Sequence, residues 1–168
     1  MESSKKSSDE RGIPKVALFT TDLYKGGVAE TSRKLAILLS KKYDVDVIVY
    51  DNTPIDMDIE GVNSVLKIGA PLAANFANSK SGRLLKRLFR PLGVIYAIMY
   101  MVLYKHNRKP DAVISLMYLP NIVNIVSSFI YRRSMTIISE RQDPRMDLAK
   151  AHVFSFIVKK LYKYADTL

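Results

Sequence analysis

Apolar residues in this chain form short continuous runs, separated by longer segments in which apolar positions recur with helical spacing. Five runs read as strands: Val16–Phe19, Val45–Tyr50, Ser64–Ile68, Asp111–Leu116 and Met135–Ser139. Apolar runs of this length, bounded by polar or turn residues, indicate buried strands. Because the runs alternate with helical segments, the sequence predicts an α/β fold with a mostly parallel sheet.

The first helical segment follows the glycine pair Gly26-Gly27. From Val28 to Tyr43 its apolar residues recur on one helical face, which predicts an amphipathic helix. This helix connects the runs Val16–Phe19 and Val45–Tyr50 through short loops. A strand, a helix and a second strand in this order form a right-handed βαβ unit with parallel strands. The chain is therefore expected to be a Rossmann-like three-layer domain.

Proline positions shape the predictions for the remaining helices. A helix over Gly82–Arg108 is expected to break at Arg90-Pro91, because proline disfavours a helical conformation of the residue before it. Pro120 suits the first turn of a helix over Asn121–Tyr131. A last helix is predicted over Leu148–Tyr164 from the spacing of its apolar residues.

Length and composition fit a single domain. At 168 residues the chain is long enough for one full hydrophobic core and short for two. Residues 1–13 contain no apolar run and are predicted to be a disordered tail ahead of a domain over residues 14–168. The chain has no cysteine and only two histidines, His106 and His152, so we expect no metal centre.

The net charge of +10 is concentrated in one block. No acidic residue lies between Gly61 and Pro110, where nine bases occur. Five of these bases are predicted to form one side of a cationic helix whose other side is apolar: Lys80, Arg83, Lys86, Arg87 and Arg90. Such a helix can contact anionic lipid, although a charge run is more often only a solvated face. Because no nucleic-acid recognition motif accompanies the block, membrane contact is favoured over nucleic-acid binding.

The apolar segment Leu92–Tyr104 follows the basic block directly. Its thirteen residues fall short of the ~18–20 that a membrane-spanning helix needs. The segment is therefore expected to be a buried helix or one that dips partly into a membrane.

The turn at Gly26-Gly27 lies between the first predicted strand and its helix. It matches neither the G-x-G-x-x-G pattern of dinucleotide sites nor the G-K-[ST] ending of a P-loop. One interpretation is a turn that needs a positive φ at one glycine. The other is an anion site, in which the glycines let the backbone approach a phosphate at the positive end of the helix dipole.

Six short motifs follow one another along most of the chain from Lys15 onward. They are Gly26-Gly27, Leu35-Ala36 to Leu39, Val45–Asp51, Pro110–Ser115, Ser139–Arg145 and Lys159–Leu168. In this order, and with the glycine turn paired with the sequence ISERQDP, they resemble the N-terminal half of a family 4 glycosyltransferase of the GT-B fold.

The resemblance implies two facing Rossmann-like domains with a nucleotide sugar bound between them, in a retaining enzyme that needs no metal or other cofactor. It places Gly26 and Gly27 near the donor diphosphate. It also favours Glu140 and Arg141 as acceptor-binding residues, with Glu140 as the candidate catalytic residue, while Asp143-Pro144 are expected only to form a turn. The family's donor-binding half has no counterpart in these 168 residues, so the chain alone is expected to be incomplete and inactive.

The leading hypothesis is therefore the acceptor-binding domain of a nucleotide-sugar-dependent hexosyltransferase in cell-surface polysaccharide or glycolipid synthesis. Its expected partners are a nucleotide sugar, a lipid- or polysaccharide-linked acceptor, an anionic membrane surface and a donor-binding domain or subunit, with no nucleic acid. The expected location is cytoplasmic and peripheral, on the inner face of the cell membrane. The alternative is a non-catalytic, stand-alone binding or scaffold domain that lacks the donor-binding half.

Overall fold

The computed structural model describes residues 12–24, 26–51, 55, 59–69, 80–140 and 160–166, and of residues 80–90 it describes only the backbone. The strands within these ranges are β1 (Lys15–Thr20), β2 (Asp44–Val49), β3 (Ser64–Lys67), β4 (Ala112–Leu116) and β5 (Met135–Ser139). The helices are α1 (Gly27–Ser40), α2 (Lys80–Arg108) and α3 (Tyr118–Ile130).

The described strands form one parallel sheet in the order β3-β2-β1-β4-β5. β1 lies at its centre, where Leu18 pairs with Val47 of β2 and with Ile114 of β4. All five predicted strands are confirmed, with ends that differ by no more than one residue from those expected. The predicted α/β fold with a parallel sheet is confirmed as well.

Helices cover both faces of the sheet and make the domain a three-layer structure. Because side chains alternate along a strand, Leu18 and Phe19 of β1 point to opposite faces. Leu18 belongs to a buried cluster that includes Ala36 of α1. Phe19 belongs to a second cluster that includes Met101 of α2 and Val123 of α3. The helices α2 and α3 also contact each other, so they share the second face.

The helix α1 begins at the glycine pair, as expected, but ends before Tyr43. Its buried face consists of the small residues Ala29, Ser32 and Ala36. Tyr43 lies beyond the last residue of the helix and is 37% exposed, so the prediction that it belongs to the buried face is wrong.

The helix α2 is continuous, so the prediction of a break at Arg90-Pro91 is wrong. Pro91 lies inside this 29-residue helix. A proline removes one N–H donor and crowds the carbonyl four residues earlier, but it leaves the hydrogen bonds on either side available. In a helix of this length those bonds preserve the helical register through Pro91. None of the described helices is both long and apolar enough to cross a membrane.

The helix α3 begins at Tyr118, three residues before its expected start, and Pro120 still lies in its first turn. Most of the last predicted helix lies outside the described residues, and its described end is helical at residues 160–162. Beyond it, the N–H of Asp166 donates to Thr136 O at 2.9 Å, and Oδ2 of Asp166 accepts from the N–H of Thr136 at 2.7 Å. The C-terminal segment is thereby attached to the edge strand β5. Of the predicted tail, only residues 12 and 13 are described.

A buried carboxylate connects α2 to the sheet near the amino end of β2. Asp46 is 7% exposed. It accepts a hydrogen bond from the hydroxyl of Tyr104 at 2.8 Å, and further hydrogen bonds from the side chains of Asn63 and Ser64. Burial, reinforced by the Asp46 carboxylate, raises the pKa of Tyr104. The tyrosine therefore keeps its proton and remains a donor to Asp46.

Candidate functional site

The carboxyl ends of β1 and β4 mark the point at which the chain reverses its direction across the sheet. From β1 the chain continues through α1 to β2 on one side, whereas β4 leads through α3 to β5 on the other side. The two connections diverge above the gap between these neighbouring strands. In open α/β sheets, ligands bind in the crevice at such a topological switch point.

The loop from β1 to α1 forms one wall of this crevice and is anchored at several points. The hydroxyls of Thr20, at the strand end, and Ser32, in α1, share a buried hydrogen bond of 2.9 Å. Leu23 is 1% exposed and belongs to the core beneath the loop. Asp22 accepts a hydrogen bond from the N–H of Tyr24 at 3.3 Å. These contacts fix the path of the backbone toward the glycine pair.

Gly26 and Gly27 leave the start of α1 open. Gly26 is the N-cap residue and has φ +110°, a conformation that favours glycine. The positive φ expected at one glycine is therefore confirmed. Among the residues that the structure describes, a Cβ atom built on either glycine would meet nothing within 4 Å. Because Gly26 has no side chain to cap the first N–H groups, the positive end of the helix dipole is accessible here.

The acidic residue in the first turn of α1 is paired with cations of the same helix. Oε1 of Glu30 lies 3.0 Å from Nη2 of Arg33 and 3.3 Å from Nζ of Lys34. The hydrogen bonds from Arg33 and Lys34 lower the pKa of Glu30. Its charge is balanced within α1, which reduces its repulsion of an anion near the glycine pair.

The loop from β4 to α3 gives the crevice a second helix start. Met117 is the N-cap residue of α3 and has φ +77° and ψ 155°. A positive φ in a residue other than glycine costs about 1–3 kcal/mol, and such strain occurs often at functional sites. Backbone hydrogen bonds hold Met117 in place, because its N–H donates to Ser139 O at 3.1 Å and its O accepts from the N–H of Asn121 at 3.0 Å. Its side chain makes no cap hydrogen bond to the first turn.

A chain of polar side chains connects α3, β5 and the C-terminal segment beside this loop. The amide of Asn121 donates to Ser139 O at 3.3 Å and to the hydroxyl of Tyr162 at 3.1 Å. That hydroxyl donates to Oε2 of Glu140 at 2.6 Å. Burial, together with the Glu140 carboxylate, raises the pKa of Tyr162, so the tyrosine keeps this proton. Asn121 is fully buried, and its Oδ1 has no hydrogen-bond partner in the described part of the chain.

Three of the site residues proposed from the sequence lie at this edge of the sheet. Gly26 and Gly27 belong to one wall of the crevice, and Glu140 directly follows β5, two strands from β1. Two strand spacings correspond to about 10 Å. Glu140 is half-buried and already accepts a hydrogen bond from Tyr162. The other proposed residues of its loop, Arg141, Asp143 and Pro144, lie outside the described residues.

The residues proposed for membrane contact belong to α2. The structure describes the helical backbone, but not the side chains, of Lys80, Arg83, Lys86, Arg87 and Arg90. The apolar segment that follows, Leu92–Tyr104, is helical, with one face buried and the other exposed.

Three residues of the site are not predicted as site residues from the sequence: Met117, Asn121 and Tyr162. Nothing in the sequence indicates the positive φ of Met117, because methionine normally avoids that conformation. A signal for Asn121 does exist, since it stands among apolar residues in the sequence YLPNIVNIV, and an amide buried in such a segment needs hydrogen-bond partners. Tyr162 belongs to an apolar helical pattern and carries no sign that its hydroxyl reaches Glu140.

The chemistry available at the crevice suits an anion that also carries hydroxyl groups. Two helix starts, at Gly26 and Met117, bring positive dipole ends to its two sides. The carboxylate of Glu140, farther along the same edge, can accept further hydrogen bonds from hydroxyl donors. Among the described residues, no group of three or more metal-ligating side chains could hold a metal ion.

The sequence matches no model of a known protein family and no curated protein. The fold and the site define the class to which the chain belongs: an α/β domain of the Rossmann-like kind, with two helix N-termini that lack a side-chain cap at its topological switch point. The function is therefore inferred from this geometry together with the sequence motifs.

Proposed function

We propose that this chain is the acceptor-side, N-terminal domain of a nucleotide-sugar-dependent, retaining glycosyltransferase of the GT-B type. The observation that carries the proposal is the open start of α1, where Gly26 has φ +110° and a Cβ on either glycine would meet nothing within 4 Å in the described part of the chain. The backbone of Gly26 and Gly27 can therefore approach a phosphate closely. The order of the sequence motifs, with ISERQDP beginning in the last two residues of β5, supports the assignment to a glycosyltransferase.

The chemistry of sugar transfer explains why an open helix start is useful. Negative charge develops on the nucleoside diphosphate as its bond to the sugar breaks. Preorganised donors aimed at developing charge stabilise the transition state more than the ground state. In this proposal the N-terminus of α1 stabilises the departing diphosphate, while a donor-binding domain or subunit holds the nucleotide and sugar. The proposal includes no cofactor, as the resemblance implies, and the nucleotide sugar is a substrate.

The acceptor side of the proposal rests on Glu140. One of its oxygens accepts a hydrogen bond from the hydroxyl of Tyr162, and no other described residue occupies its remaining lone pairs, which can accept from a hydroxyl of the sugar acceptor. Arg141 is proposed to assist. The acceptor is proposed to be lipid- or polysaccharide-linked, in cell-surface polysaccharide or glycolipid synthesis at the inner face of the cell membrane.

Nuclear magnetic resonance of the ¹⁵N-labelled chain can test the donor side. Titration with UDP or GDP is expected to shift the amide signals of Gly26, Gly27 and Tyr118 with a Kd of about 1 mM, since only half of the cleft is present. Sulfate at equal ionic strength is expected to give smaller shifts. A soluble, short-chain lipid-linked saccharide is expected to shift Glu140 and Tyr162 instead.

A matched pair of variants makes this titration specific. Gly27→Val places a β-branched side chain at the start of α1, where there is room for it, and is expected to abolish the response to UDP. Leu38→Val makes a change to the same residue type at a position of α1 that is 62% exposed, and is expected to leave the response intact. Unchanged spectra of the wild-type chain at about 10 mM nucleotide, or equal responses of both variants, would contradict the proposal and favour the non-catalytic binding domain.

A further inference from the structure

The helix α2 carries a row of large apolar side chains that the described part of the chain leaves largely uncovered. Leu92, Ile95, Tyr96, Met99 and Leu103 are between 44% and 61% exposed. Their spacing of three and four residues makes them neighbours along one side of the helix. Together they form a continuous surface, here called the α2 strip, of a kind that monomeric proteins seldom expose.

The opposite side of the same helical segment packs against the sheet. Ala97, Met101 and Lys105 are fully buried, and Tyr104 is 7% exposed. The α2 strip is therefore not a loosely packed part of the core, because the core contacts of α2 are made by its other face. A helix segment that is apolar on both faces is expected to bury the second face against something else.

Charge indicates what covers the strip. The interval between Gly61 and Pro110 contains nine bases and no acid. Because α2 is continuous from Lys80 to Arg108, the base-rich residues 80–90 and the α2 strip belong to one helix. An apolar strip on a cationic helix matches the boundary between headgroups and acyl chains of an anionic bilayer. Tyr96 suits that depth, because its ring is apolar and its hydroxyl is polar.

A second copy of the chain fits the strip less well. Pairing two strips would bring two base-rich segments without acids close together, and like charges at an interface disfavour the contact. The charge pattern therefore selects an anionic lipid surface over self-association.

We propose that the α2 strip inserts into the headgroup boundary of an anionic membrane, with α2 lying in the membrane plane. This inference rests on the membrane location proposed above and deepens it, since it assigns the insertion to Leu92, Ile95, Tyr96, Met99 and Leu103 rather than to the bases of residues 80–90. Vesicle binding requires no sugar transfer, so this proposal and the transferase proposal can fail separately.

The chain contains no tryptophan, which makes a single introduced tryptophan a clean reporter. Met99→Trp, at a strip position that is 61% exposed, is compared with Leu38→Trp on α1, which is 62% exposed. Each full chain is mixed with vesicles of phosphatidylcholine containing about 30% phosphatidylglycerol. The emission of Met99→Trp is expected to shift to the blue and to be quenched by brominated lipid, whereas Leu38→Trp is expected to be unaffected.

Sedimentation measures the binding itself. The double variant Ile95→Gln/Met99→Gln is expected to lower the partition coefficient onto these vesicles by roughly tenfold, and Leu38→Gln to change it less than about twofold. Wild-type chain that does not sediment with anionic vesicles would overturn the proposal. So would wild-type binding by the double variant, or a blue shift of Met99→Trp that appears without lipid as protein concentration rises, which would identify a second copy as the occupant.

Discussion

Lys105 offers a sensitive test of the packing between α2 and α3, because it is a fully buried amine. Its Nζ donates to Oδ1 of Asn124 at 2.9 Å, to the backbone O of Asn124 at 3.2 Å and to Oγ of Ser128 at 2.7 Å. All three acceptors are uncharged. Burial lowers the pKa of Lys105 from 10.5 to about 7. The free energy of unfolding is therefore expected to depend on the protonation of this one side chain.

The sign and size of the effect follow from the two pKa values. Between pH 7 and 10.5 the unfolded chain binds more protons at this position than the folded chain, so stability rises with pH. One pKa unit corresponds to about 1.4 kcal/mol. For a folded pKa of about 7, Lys105 is expected to raise the free energy of unfolding by about 2.5 kcal/mol between about pH 6 and about pH 9. The three acceptors favour the ammonium form, so this value is an upper bound.

Lys105→Met removes the titrating group while retaining a long apolar stem. Urea unfolding followed by circular dichroism, at several values between about pH 6 and about pH 9, gives the free-energy difference between variant and wild type. Contributions of other titrating groups cancel in that difference. The difference is expected to move by about 2.5 kcal/mol in favour of the wild type as the pH rises. Its absolute value also contains the cost of leaving Oδ1 of Asn124 without a donor, about 1–3 kcal/mol.

Lys42→Met provides the control, because Lys42 is exposed beyond the end of α1. Its free-energy difference from the wild type is expected to stay within about 0.5 kcal/mol across the same pH range. If the Lys105→Met difference were equally flat, Lys105 would titrate in the folded chain as it does in the unfolded chain, and the inferred burial of its amine would be refuted.

Two further substitutions test features that the sequence does not reveal. Tyr104→Phe removes the hydroxyl that donates to the buried carboxylate of Asp46 and is expected to lower the free energy of unfolding by about 1–3 kcal/mol. Tyr96→Phe, at a tyrosine that is 44% exposed, is expected to change it by less than about 0.5 kcal/mol in the same urea titration. Equal effects would contradict the buried bond. Met117→Gly is expected to raise the free energy of unfolding by up to about 1 kcal/mol, because glycine accepts a positive φ without strain. A destabilised Met117→Gly chain would show that the methionine side chain, rather than the backbone, holds the turn.

The parallel sheet could be predicted from the sequence because its strands are buried on both faces. Such strands appear as continuous apolar runs, as in Val45–Tyr50, and need no knowledge of distant contacts to be recognised. The glycine turn could also be predicted, since a glycine pair between a strand and a helical pattern is typical of a turn that needs a positive φ. Local signals were sufficient in both cases.

The features that escaped prediction depend on groups far apart in the sequence. The hydroxyl of Tyr162 meets Asn121 and Glu140 only after α3, β5 and the C-terminal segment have come together. The break predicted at Pro91 is absent for a related reason, because a local preference alone does not decide the conformation of a long helix. The preference before proline is real, but in a 29-residue helix the hydrogen bonds on both sides outweigh it.

An anion bound between the two helix starts at the switch point would explain why neither start has a side-chain cap. An N-cap residue whose side chain accepts no hydrogen bond from the first turn forgoes about 1 kcal/mol relative to serine or aspartate. Met117 is such a residue, and its backbone is strained as well. Gly26 gives up less, but it likewise leaves the first N–H groups of α1 without a side-chain acceptor. A diphosphate carries several oxygens that can accept hydrogen bonds from the N–H groups at both helix starts. Neither conformation improves the stability of the isolated domain, so the titration with nucleoside diphosphate, rather than an unfolding measurement, is the decisive test of function.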